Sequence, residues 1–68
     1  MQDICTVNVY KVVIENNAVV QTIIANDLEH GEVGLNAGGD SIQWLALECQ
    51  DEQTSIEIAE MVVKALWM

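Results

Sequence analysis

The chain contains no arginine, no proline and no phenylalanine, and its only strong cations are Lys11 and Lys64, set against eleven aspartates and glutamates. The formal net charge is −9 at pH 7. Proteins that bind nucleic acid or anionic lipid by neutralising phosphates need clustered cations, because released counterions supply the affinity. Direct binding to nucleic acid or to a membrane surface is therefore not expected, and a charged partner should be a basic protein surface. No apolar run approaches the roughly 18 residues needed to cross a bilayer. The opening Met1-Gln2-Asp3 lacks the basic region of a secretion signal, which makes the cytoplasm the expected location.

Short as it is, at 68 residues, the chain can support one small domain spanning 1–68 and no second core. Apolar residues make up 51% of it, which argues against intrinsic disorder despite the charge. Cys5 and Cys49 both sit inside apolar segments, where thiols in a reducing compartment act as small hydrophobes. A disulfide or a soft-metal site is the less favoured reading, and a metal would have only His30 to add.

The run Ile4 to Ile14, ICTVNVYKVVI, is dense in β-branched residues and reads as a strand. Asparagine tolerates positive φ, so Asn16-Asn17 should form a two-residue type I′ turn into a second strand, Ala18 to Asn26. That register sets Ile14 opposite Val19, Tyr10 opposite Ile23 and Val9 opposite Ile24, and it leaves apolar groups on both faces of the hairpin. Asp27 to Asp40 holds all four glycines and reads as a loop, with a short strand at Glu32 to Asn36 and a sharp turn at Gly38-Gly39. Ser41 to Gln50 alternates Ile42, Trp44 and Ala46 against Gln43, Leu45, Leu47 and Cys49, a further strand with two apolar sides.

From Asp51 onward the sequence reads as a helix, with Thr54 and Glu57 spaced as a capping box. Its expected buried stripe is Ile58, Met61, Val62, Ala65 and Leu66, with a second apolar stripe of Ile56, Val63 and Trp67. The fold class expected from these elements is α+β, an antiparallel sheet of three or four strands (hairpin, loop, strand) with one C-terminal helix packed on one face. Apolar surface left over on the sheet, or on Ile56, Val63 and Trp67, would need cover, so a homodimer is expected, with those three residues as the candidate interface.

Few residues suggest chemistry. Asp27, Glu29, His30 and Glu32 form the densest group of hard ligands, but their spacing matches no dedicated metal site, so no metal and no cofactor is expected. The glycines reproduce neither GxGxxG nor the phosphate-binding GxxxxGK[ST] pattern. Nucleophilic catalysis would require Ser41, Ser55 or a cysteine to meet His30 and an orienting acid in a domain with little depth for a water-excluding pocket. The expectation is a binding protein and not an enzyme.

Nine of the eleven acids fall after residue 26. Solubility alone would account for an acidic surface on a small apolar domain. The alternative is that the acidic arc presents a negative field to a basic groove, with Asp27, Glu29, Glu32, Asp51, Glu52 and Glu57 as the candidate partner-binding residues. With the hairpin VYKVVIENNAVVQTII, the helix TSIEIAEMVVKALW and this arc, the chain resembles in size, acidity and lack of catalytic motifs the small inhibitors that bacteriophages and mobile elements encode against host defence nucleases, many anti-CRISPR proteins among them. That resemblance implies a nucleic-acid mimic that binds a nucleic-acid-handling complex and blocks its nucleic-acid site or its nuclease recruitment. The rival expectation is a structural or assembly subunit that acts through its apolar surface, its acidity serving solubility.

Overall fold

A computed structural model describes residues 6–66, which places Cys5 and Trp67 outside the described residues. Four strands, β1 (Asn8–Glu15), β2 (Ala18–Ile24), β3 (Val33–Leu35) and β4 (Ile42–Cys49), precede one helix, α1 (Glu52–Leu66). The strands form a single antiparallel sheet in the order β2-β1-β4-β3, with α1 packed on one face, an α+β fold.

The β1–β2 turn follows directly from its asparagines. Asn16 and Asn17 adopt φ of 53° and 65°, the left-handed pair that a type I′ turn requires and that asparagine accepts more readily than β-branched residues. Next to the turn the anticipated pairing holds, with Ile14 opposite Val19. Beyond it the register differs from expectation, because a bulge leaves Val20 without a partner and sets Val13 opposite Gln21, Lys11 opposite Ile23 and Tyr10 opposite Ile24. One inserted residue reverses the facing of every side chain after it. Ile23 consequently lies on the face away from α1 rather than beside Tyr10.

The core lies between α1 and the face formed by β1 and β4. Tyr10, Val12, Leu45, Leu47, Cys49 and Ala59 form one buried cluster, with Val19, Ile58 and Val62 packed against it. The helix meets the expected stripe in part: Ile58 and Val62 pack against the core, Met61 and Ala65 do not, and the Leu66 side chain lies outside what is described. Ser55, Ala59 and Val63, spaced four residues apart, are its buried line, whereas Met61 is 62% exposed and Ala65 is exposed. Small side chains at Ser55 and Ala59, each 0% exposed, let the helix backbone come close to the sheet, and the Ser55 hydroxyl remains satisfied by donating to the Glu52 carbonyl at 2.6 Å. Val63 is thus part of the chain's own core, and Ile56 is half-buried beside it.

The helix start also differs. Thr54 N–H donates to the Asp51 carboxylate at 2.7 Å, so Asp51 is the capping residue and Thr54 lies within the first turn. Glu57, expected to complete a capping box, instead accepts a hydrogen bond from the Gln53 side chain at 3.2 Å. The preference is physical, since a carboxylate at this position both accepts the unpaired N–H and stabilises the positive end of the helix.

Candidate functional site

Strand pairing decides which acids become neighbours. Asn8 pairs with Cys49, so the start of β1 and the end of β4 share one end of the sheet, together with the end of β2 and the start of β3. The β2–β3 loop and the β4–α1 connection both lie at that end. Asp27, Glu29, Glu32, Glu48, Asp51 and Glu52 are gathered there, in segments that contain no lysine. Asp40 is carried to the opposite end, where the Asn36 side-chain amide donates to its carboxylate at 2.7 Å, and Glu57 follows on the second turn of α1.

Two polar side chains tie the acidic loop down. Asn26 Oδ1 accepts the Val9 N–H at 2.7 Å while its amide donates to the Asn8 side chain at 3.0 Å. His30 Nδ1 accepts the Glu48 N–H at 2.9 Å, which places the neutral ring's proton on Nε2. Each supplies a backbone partner where the flanking strand has ended. Around His30, Glu32 closes a tight turn, its carboxylate accepting the Glu29 N–H at 2.6 Å. The sequence singled out His30 as a possible ligand or base. Its role as an acceptor for a strand N–H was not legible there, because the partner is 18 residues away.

Of the six candidate partner-binding residues, Asp27, Glu29 and Glu52 are exposed and their carboxylates make no hydrogen bond among the described residues, whereas the carboxylates of Glu32, Asp51 and Glu57 are exposed but engaged locally. The Thr54 hydroxyl, and then its N–H, hold the Asp51 carboxyl below the usual aspartate range. Among the described residues no group of three histidine, cysteine or acidic side chains could hold a metal ion.

Cys49 is a buried free thiol whose pKa is pushed up by burial and by the Asp51 and Glu48 carboxylates, which disfavours the reactive thiolate. Ser55 is committed to a helix carbonyl and His30 to Glu48. No described helix is long and apolar enough to cross a membrane.

The face of the sheet away from α1 is organised around Trp44. Lys11 Nζ stands 5.1 Å from the Trp44 ring centroid, close enough for a cation–π contact. Beside this pair Ala46 is fully buried, and Ile23 and Glu48 remain exposed. Compared with models of known protein families, with curated proteins and with solved structures, the chain matches none of them.

Proposed function

We propose that this chain is a non-enzymatic binding protein whose acidic end docks on the basic surface of a nucleic-acid-handling complex, in the manner of the anti-CRISPR-like inhibitors it resembles. The observation that supports this reading is the gathering of six carboxylates from two distant segments at one end of the sheet, with Lys11 in the middle of β1 and Lys64 near the hairpin turn at the other end. An unbalanced negative field over one end of a small domain steers association with a basic groove and competes with the phosphates that groove normally holds. Asp27, Glu29 and Glu52 are the residues free to make such contacts. The rival reading, an assembly subunit, draws on the apolar side chains left exposed, Ile24 and Leu35 among them.

The test is a cleavage assay in which the protein is titrated into defence nuclease complexes, CRISPR effectors first, at low ionic strength. Inhibition should weaken as salt rises, and Glu29→Lys with Glu52→Lys should abolish it while circular dichroism stays unchanged. Asp51 is left intact because its carboxylate caps α1. Undiminished inhibition by the reversed variant would dismiss the acidic docking surface and favour assembly.

A further inference from the structure

The sheet has two edges, and they differ in how they are protected. Strand β3 is only three residues long, which makes that edge a poor template, and the register shift beside it leaves its extra residue, Gln43, on β4. Strand β2 is seven residues long, AVVQTII, and although it bears the bulge at Val20 it contains no charge and no proline. It is the outer strand of the sheet, so its outward N–H and C=O groups pair with no other strand among the described residues. In a chain of net charge −9, it is also a stretch along which two copies could approach without opposing charges.

We propose that β2 pairs antiparallel with β2 of a second copy, joining two four-stranded sheets across a two-fold axis. This contact is separate from the acidic docking surface, and it moves the expected self-association from the helix, where Val63 is enclosed, to the sheet edge. A two-fold centred on Thr22 sets Val20 of one copy beside Ile24 of the other, and these are the two most exposed apolar residues of the strand, at 53% and 57%. It also sorts charge. The Ile24 end of each copy leads into Asp27, Glu29 and Glu32, and antiparallel pairing places it against the Ala18 end of its partner, where Lys64 accompanies Glu15 and Glu60. Parallel pairing would instead set the two acidic ends side by side. Each extended backbone gains ladder hydrogen bonds that a lone copy leaves to water.

The experiment is sedimentation velocity on the full chain, from about 1 to 100 µM, a range that brackets ordinary dimer affinities, at low and high salt. The wild type should sediment as a dimer whose fraction rises with salt, because residual repulsion between two acidic copies is screened. Val20→Glu, Ile24→Glu and the double variant should each shift dissociation at least roughly tenfold toward monomer, with unchanged circular dichroism, and the single variants decide if the double does not fold. Val33→Glu on β3 and Met61→Glu on α1 should leave the dimer intact. A wild type that stays monomeric throughout, or a dimer that survives the β2 substitutions or is lost with Val33→Glu, overturns the proposal.

Discussion

The Trp44 indole fills the space that a side chain at position 34 would need. A Cβ on Gly34 would fall within the ring, against Nε1, Cε2 and Cδ1, so glycine on β3 is what allows the tryptophan of β4 to lie across its neighbour. The same indole is the surface over which Lys11 stands from β1, on the other side of β4. One side chain thus ties three adjacent strands together on the face that the helix does not cover.

Replacing that glycine should therefore displace the ring. Gly34→Ala is expected to destabilise the fold by about 1–3 kcal/mol through overpacking, and to change the near-ultraviolet circular dichroism of the tryptophan. Adding Trp44→Val should recover part of the loss in a double-mutant cycle, since the clash is removed with the ring. Additive urea denaturation energies would show that the two sites do not interact.

Asp51 predicts a defined pH dependence. Its folded pKa lies below the ordinary aspartate value because the Thr54 hydroxyl and N–H favour the carboxylate, so the stabilisation is fully present above the unfolded pKa and is lost as pH falls through the folded one. Asp51→Asn keeps a capping acceptor without a titrating charge and should flatten the acid limb of a melting-temperature profile. Asp51→Ala should lower the melting temperature at neutral pH as well. A wild-type profile indistinguishable from that of Asp51→Asn would remove the carboxylate from the account.

The observed helix face separates two neighbouring positions. Ala59 has no exposed surface and belongs to the buried cluster between α1 and the sheet, so Ala59→Leu should cost about 1–3 kcal/mol by overpacking. Met61, on the solvent side, should tolerate glutamate within about 0.5 kcal/mol. Chemical denaturation of the two variants distinguishes this packing from the stripe expected from hydrophobicity alone, which would reverse their order.

Much of this architecture was legible beforehand. β-branched runs marked β1 and β2, the asparagine pair marked the turn that joins them, alternation marked β4, and the acid-led amphipathic stretch marked α1, because these signals depend on neighbours within a few residues in the chain. The clustering of acids after residue 26 was equally visible as composition.

What only the tertiary structure decided are matters of long separation or of a single inserted residue. The bulge at Val20 reversed the facing of the rest of β2, and no local propensity distinguishes that residue from its valine neighbour. Helix rotation turned on Ser55 and Ala59, whose small size matters only when a sheet lies against them; a count of large apolar residues favours Met61. The acidic end arose when strand pairing brought Asp27–Glu32 beside Glu48–Glu52 and fastened the loop through Asn26 and His30. Local sequence determines the elements because their energetics are local, whereas the face each element buries and the charges it brings together follow from packing between segments that the sequence keeps far apart.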